Sequence, residues 1–322
     1  MTDELKDPSG STTDHLVLGE VRTALLFSSS ALPTESVIEL LALVPGEPVR
    51  SRERPGRLSW SPDLLTGLDC RAPSADGRVL RVVGTALSRV SVASGQLLQA
   101  STCARVQPGA DGRRHTWSHY LARPGVVEAL SSVRVEDMAT GFLTRDPAPD
   151  SLDVGAVNTR LLSQVQGSNR LDRRPPFRTL RTQMRWVRTA PLPGDGESFS
   201  FTVGADGVRS LHLRSRADDT REIENFCADL ALHDWLLTAL LAVVDSALTG
   251  SRPAPEVVRR LRPAVDHLVH AWMPGVRVSD DLQPLWRALE VRSGLSKQWQ
   301  KNVERIRDQL SLSIVENMRG SD

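Results

Sequence analysis

Two histidines lie four residues apart in the densest polar run of the N-terminal half, His115-Thr-Trp-Ser-His119-Tyr120. If this run forms a helical turn, both imidazoles lie on one face and could bind the same metal ion. Ser118 beside His119 also allows a nucleophile and a base, although adjacent residues rarely face each other. The preferred interpretation is a loop or strand anchored by Trp117 and Tyr120, with both histidines satisfied by hydrogen bonds.

A second set of histidines lies in the C-terminal third. His233 follows Asp229 by four residues, and His267 and His270 follow Asp266 on a later segment. Antiparallel packing of two helices could bring these side chains together, and carboxylates with imidazoles suit divalent metals. The Glu-x-x-His repeat of di-metal helical bundles is missing, so a buried hydrogen-bond network or a solvated helix flank is the preferred interpretation.

The most basic stretch runs from Arg160 to Arg188, and Asp172 is the only acidic residue between them. Phe177 and Trp186 interleave with the arginines and could stack on bases, as in single-strand binders. The chain as a whole is nearly neutral, with 40 basic and 39 acidic residues, which weakens the prediction of nucleic-acid binding. Solvent-facing arginines or contacts with an acidic partner are the alternatives. The candidate anion-binding residues are Arg173, Arg174, Arg178, Arg181, Arg185 and Arg188.

Sequence motifs for nucleotide, metal or acyl chemistry are missing. There is no Walker loop, no dinucleotide-binding GxGxxG, no GxSxG, no HExxH and no EF-hand loop. We therefore predict no cofactor and no resident metal. The absence of these motifs makes an enzyme the less favoured prediction. An enzyme stays an alternative because active sites can also assemble from residues that are distant in the sequence.

Cysteine usage and hydropathy favour a cytoplasmic protein without membrane insertion. The three cysteines include no CxxC pair and predict small buried side chains rather than a disulfide framework or a zinc site. Residues 1–14 are polar and lack the apolar core of a signal peptide. The longest apolar stretch, Trp235–Val244, is about half of the ~20 residues that a bilayer requires.

The 322 residues suggest about two domains. We predict a disordered tail over 1–14, a mixed α+β domain over 15–215 and a helical bundle over 219–319. The fold class is thus α+β, with a β-rich N-terminal region that includes short helices.

Local patterns assign individual elements within this plan. The β-rich region should contain a hairpin joining 78–92 to 96–106 through Ala93-Ser94-Gly95. Pro124–Phe142 and Leu152–Val165 should be short helices, and a three-stranded meander should follow. Its strands are placed at 178–188, 198–203 and 208–214, and the helices of the bundle at 219–248, 254–272, 280–292 and 296–318.

Four segments together resemble an uncharacterised actinobacterial protein family over essentially the whole chain: Val17–Leu26, Ser61–Cys70, Asp229–Leu237 and Leu261–Leu268. The predominance of arginine over lysine agrees with such a source. The resemblance implies a gene cassette with a variant P-loop protein and an S-adenosylmethionine-dependent methyltransferase. It brings no catalytic residues, and it implies that a partner is another product of the cassette.

The leading functional hypothesis is a non-catalytic interaction or adaptor component of a multi-protein assembly. Its helical third carries four of the seven tryptophans, for which core packing is the preferred interpretation and a partner-binding face is the alternative. One alternative is an enzyme with a histidine-based or metal site. The other is nucleic-acid binding through the arginine-rich stretch.

Overall fold

A computed structural model describes residues 15–78, 80–132, 134–249 and 253–319. The predicted disordered tail, 1–14, lies outside the described residues. Within the described ranges the chain is mixed α+β, with a ten-stranded sheet and eight α-helices. The strands are β1 Leu16–Leu25, β2 Arg50–Arg52, β3 Leu58–Trp60, β4 Leu64–Ala72, β5 Leu80–Ala93, β6 Leu97–Pro108, β7 Val126–Ala129, β8 Thr182–Thr189, β9 Ser198–Val203 and β10 Arg209–Arg214. The helices are α1 Thr34–Leu41, α2 Trp117–Leu121, α3 Val135–Thr144, α4 Val154–Gln166, α5 Thr220–Leu248, α6 Ala254–His267, α7 Gln283–Ser293 and α8 Leu295–Arg319.

β1 is a central strand of the sheet. The strand order is β2-β3-β5-β7-β6-β1-β8-β10-β9, with β4 paired to β5 and a further pairing of β5 with β6. β1 pairs antiparallel with both β6 and β8. Leu16, Val17, Leu18 and Val21 are all buried, although successive side chains point to opposite faces. A strand that is apolar on both faces requires cover on both sides of the sheet.

Helices supply this cover. α5 packs on the face that carries Val17, Val21 and Trp186, in one apolar cluster with residues of α6, α7 and α8. α3 packs on the opposite face against Leu16 and Leu18. α1 and the middle of α4 pack on that same opposite face at Leu26, the residue after β1. The boundary predicted between 215 and 219 falls in the loop before α5, and one apolar cluster contains side chains from both sides of it.

The predicted hairpin is confirmed as β5 and β6. Ser94 and Gly95 have φ angles of 51° and 71°, as the two central residues of a type I′ turn require. The adjacent prediction, a helix beginning at Pro124, is wrong over Val126–Ala129, which is strand β7. β5 and β6 pair with each other only from Leu87 and Cys103 to the turn, and β7 fills the gap beyond that point.

Gly84 makes this insertion possible. A Cβ atom at this position would lie 2.2 Å from the carbonyl oxygen of Val126 on β7, so only glycine permits the approach. The four residues of β7 become a strand because two unsatisfied strand edges flank them. This tertiary effect overrides local propensity.

The predicted three-stranded meander is also wrong. β10 pairs parallel with β8 and antiparallel with β9, so β9 lies at the edge rather than between its neighbours. The hairpin of β9 and β10 is present, and Gly207 in its turn has a φ of 80°. The connection after β8 contains Pro191 and Pro193, which lack the N–H groups that a tight hairpin uses.

α5 is the longest helix that the structure describes, with 29 residues, and by length and composition alone it could cross a membrane. Its most apolar window has a mean hydropathy of 1.6, and 78% of that window is buried inside the protein. The helix begins at Asp219, whose carboxylate accepts a hydrogen bond from the Arg221 N–H at 2.7 Å. The predicted second helix is shorter than expected, because α6 ends at His267 and a 3₁₀ turn follows it.

Candidate functional site

An open groove of about 500 Å³ lies where the end of β1 and the segment 175–181 meet α5. Most of its lining is apolar. Leu180 is 79% exposed and Phe27 is 37% exposed, which is unusual for large apolar side chains that lie together. The lining residues are Ala24, Leu25, Phe27, Pro175, Phe177, Arg178, Thr179, Leu180, Arg181 and Ala242.

Gln166, at the end of α4, fixes one wall of the groove. Its buried side chain accepts a hydrogen bond from the Phe27 N–H and donates one to the Leu25 carbonyl, both at 2.8 Å. The Phe27 carbonyl in turn accepts from the Arg173 N–H at 2.8 Å. Both backbone groups of Phe27 are therefore occupied, so its position does not depend on a ligand.

α5 and α6 hold the opposite wall. The Trp235 indole N–H donates to the Leu180 carbonyl at 2.9 Å, which ties the segment before β8 to α5. The Phe177 ring packs against the apolar core, with its centroid 6.3 Å from that of His267. The Leu180 side chain is left at the surface between these two anchors.

Two exposed arginines of the segment 175–181 line the groove, Arg178 and Arg181, and two more directly precede the segment, Arg173 and Arg174. None of their guanidinium groups forms an ion pair in the part of the chain that the structure describes. The nearby Asp172 carboxylate binds the backbone N–H of Ser29 at 3.0 Å. Hydrogen bonds from the Ser29 side chain and from backbone N–H groups lower the pKa of Asp172.

The other two predicted anion-binding arginines lie inside the protein. Arg185 donates to the Arg145 carbonyl at 2.8 Å, and its Nε is 3.7 Å from a Glu20 carboxylate oxygen. Arg188 is 3.9 Å from Asp218, and burial lowers its pKa. Trp186, between them, is fully buried and cannot stack on a base. The predicted set thus divides into four surface arginines and two structural ones.

The predicted C-terminal histidine set does not converge. His233 is buried, where its Nδ1–H donates to the Asp229 carbonyl at 2.7 Å and its Nε2 accepts from the Met273 N–H at 3.2 Å. His267 bonds to the Gln96 side chain, and His270 is exposed. These three residues belong to no cluster of potential metal ligands among the described residues. Burial lowers the pKa of His233 and of His267.

His115 and His119 do lie together, with their ring centroids 4.4 Å apart. The structure adds Glu128 on β7, whose carboxylate is 3.0 Å from His119 Nε2. No sequence pattern joined Glu128 to this pair, because its strand was predicted as a helix.

A buried cation that the sequence did not single out is Arg277. Its side chain is 4% exposed, its Nη1 donates to Gln99 at 2.8 Å, and its Nε is 3.8 Å from Asp229. Burial lowers its pKa to about 10. This residue connects the loop after α6 to β6 and α5, and we assign it a structural role.

The cysteines contribute no reactive thiol to these sites. Cys103 and Cys227 are buried, as predicted, and burial raises the pKa of both thiols. Burial raises the pKa of the half-buried Cys70 to about 11, so its thiolate form is scarce at neutral pH.

Comparison of the chain with protein-family models, with curated proteins and with solved structures found no match.

Proposed function

We propose that the protein is a non-catalytic interaction component that binds an acidic segment with apolar side chains on another protein. The observation that carries this proposal is Leu180, which is 79% exposed in a groove beside Arg178 and Arg181, two arginines that form no ion pair with any described residue. Leu180 and Phe27 would insert between apolar side chains of the partner. Arg178 and Arg181 would pair with its carboxylates.

Each part of the groove would make a distinct contribution to binding. Burying apolar surface contributes about 25 cal/mol per Å², so an exposed leucine and phenylalanine supply a substantial driving force. Guanidinium groups pair with carboxylates in a bidentate geometry, which adds orientation and specificity. Because Gln166 and Trp235 already fix both walls, little conformational entropy would be lost at the groove on binding.

The partner segment would belong to another product of the same gene cassette, a P-loop protein or a methyltransferase, in the cytoplasm. In this arrangement residues 219–319 act as a helical bundle that supports the sheet and the wall of the groove. The β-rich region supplies most of the binding surface.

Fluorescence anisotropy with labelled peptides would test the proposal. The probe is a twelve-residue peptide of alternating glutamates and leucines or phenylalanines. A peptide with every apolar residue replaced by serine and a single-stranded oligonucleotide of the same length are the comparison ligands. We expect saturable binding of the first peptide only. Preferential binding of the oligonucleotide would instead support the nucleic-acid alternative.

Matched variants would locate the binding surface. Leu180→Asp and the double change Arg178→Glu with Arg181→Glu should each weaken peptide binding by at least about tenfold, the effect of losing ~1.4 kcal/mol. Leu192→Asp is a control, because Leu192 is 59% exposed and lies outside the groove. Arg287→Glu with Arg307→Glu is the control for charge. Equal loss of binding in the controls and in the groove variants would contradict the proposal.

A further inference from the structure

A second cluster of functional side chains lies at the short helix α2 and strand β7. One nitrogen of each imidazole of His115 and His119 and one carboxylate oxygen of Glu128 lie within 4.8 Å of one another. We propose that these three residues bind a divalent transition metal ion of the zinc class. This site is independent of the groove and of the proposed partner.

The strongest evidence is the carboxylate of Glu128, which is only 5% exposed. Its Oε1 accepts a hydrogen bond from Arg123 and lies 3.0 Å from His119 Nε2. Its Oε2 is buried and has no hydrogen-bond partner within the described ranges. A buried carboxylate oxygen without a donor is rare, because its desolvation is not compensated. A cation bound by both oxygens of the carboxylate would supply the missing interaction.

The two imidazoles provide both ligands and access. Each side chain is 35% exposed, so an ion and a water molecule can reach the cluster from solvent. Asp111 Oδ1 lies 3.3 Å from His115 Nε2 and would orient that ring, as carboxylates commonly do beside metal-bound histidines.

The fold holds the cluster in place before any ion binds. The hydroxyl of the buried Tyr120 accepts a hydrogen bond from the backbone N–H of His115 at 3.0 Å. The His119 ring meets the Tyr120 ring edge-on, with centroids 5.1 Å apart. Trp117 packs over Gly67 of β4, where a Cβ atom would be 3.1 Å from the indole. α2 is thus docked at both ends, and Glu128 is fixed between β5 and β6.

The donor set determines the class of ion. Two imidazoles and one carboxylate form a zinc ligand set that leaves a fourth position for water. Calcium and magnesium require mainly oxygen ligands and fit this set poorly. Arg123 opposes the ion electrostatically and shares with it Glu128 Oε1, the carboxylate oxygen that lies beside His119.

Isothermal titration of chelator-treated full-length protein with ZnCl₂ would test the site. We expect about one ion per chain, with release of protons as the imidazoles bind. His119→Asn should abolish this binding, and Asp111→Asn should weaken it by about tenfold or more. Glu128→Gln should also abolish binding. His119→Asn decides the test if Glu128→Gln fails to fold.

His270→Asn is the matched control, because His270 is exposed and lies outside the cluster. Cobalt(II) substitution gives an independent readout, since a four-coordinate site produces intense visible bands that His119→Asn should remove. Wild-type protein that binds no zinc would overturn the proposal. Unchanged binding by His119→Asn, or equal loss in His270→Asn, would overturn it as well.

Discussion

The exposed segment at the groove, residues 173–181, and the buried strand β8 that follows it use the arginine side chain in opposite ways. Arg173, Arg174, Arg178 and Arg181 keep their hydration and form no described ion pair. Arg185 and Arg188 follow within a few residues, and both are buried beside acidic groups. What separates the two groups is the start of β8 at Thr182, where the chain enters the sheet.

The difference has energetic consequences. A buried guanidinium loses its water and depends on the partners that the fold provides, so removing one partner leaves an uncompensated charge. An exposed guanidinium contributes little to stability and remains free for an external ligand. Runs of arginine in a sequence therefore need to be divided by burial before a binding role is assigned to them.

Among substitutions that compare buried with exposed arginines, Arg277→Met should have the largest effect on stability. It would leave the fully buried Asp229 without its neighbouring cation, and we expect the free energy of unfolding to fall by about 3–5 kcal/mol. Arg178→Met, the exposed counterpart, should change it by no more than about 0.5 kcal/mol. Urea denaturation of the two variants and the wild type would measure both values. A similar fall in the free energy of unfolding for both variants would contradict the difference between buried and exposed arginines.

The buried His233 should make stability depend on pH. Its folded pKa is lowered by burial, so below the unfolded pKa of about 6.5 the unfolded chain binds a proton that the folded protein excludes. The free energy of unfolding should therefore fall as the pH drops below ~6.5, by up to about 1.4 kcal/mol per unit. Above that pH, the contribution of His233 to the free energy of unfolding should not change with pH.

Denaturation curves at pH 7.5, 6.5 and 5.5 would test this expectation, with His233→Gln as the comparison. The glutamine side chain can neither gain nor lose a proton in this pH range, so the variant should show a shallower pH dependence even if it is less stable overall. The same slope in both proteins would show that His267 and His212, whose pKa values burial also lowers, dominate instead.

The smallest effect should come from salt, which should weaken peptide binding at the exposed arginines and leave the contribution of buried arginines to stability unchanged. Peptide binding at the groove should weaken a few-fold between 50 and 300 mM NaCl, because exposed pairs are screened over about 10 Å or less. The stability difference caused by Arg277→Met should not change. A loss of binding by several orders of magnitude would indicate counterion release and therefore favour nucleic acid as the ligand.

Local sequence patterns predicted the elements that depend on near neighbours. The β5–β6 hairpin follows from a turn sequence between two strand patterns, and α5 follows from a long apolar run. The pairing of His115 with His119 follows from their spacing of four. Glu128 could not be joined to them, because β7 exists only where β5 and β6 diverge.

Burial across distant segments was equally hidden from the sequence. Trp186 has the type and spacing of a residue that could stack on bases, but Gly19 on the neighbouring strand leaves space for its ring inside the core. Leu180 has the pattern of an ordinary strand residue. Its exposure depends on Trp235, 55 positions later, whose indole binds the Leu180 carbonyl and holds it outside the sheet.

The central place of β1 has a consequence for how the chain reaches its native state. β1 precedes every other described strand, yet its partners are β6 and β8, which end at Pro108 and Thr189. During synthesis, the second edge of β1 cannot pair with β8 until the ribosome has released residues far downstream. This high contact order predicts slow folding and an early intermediate whose exposed strand edge invites aggregation or chaperone capture.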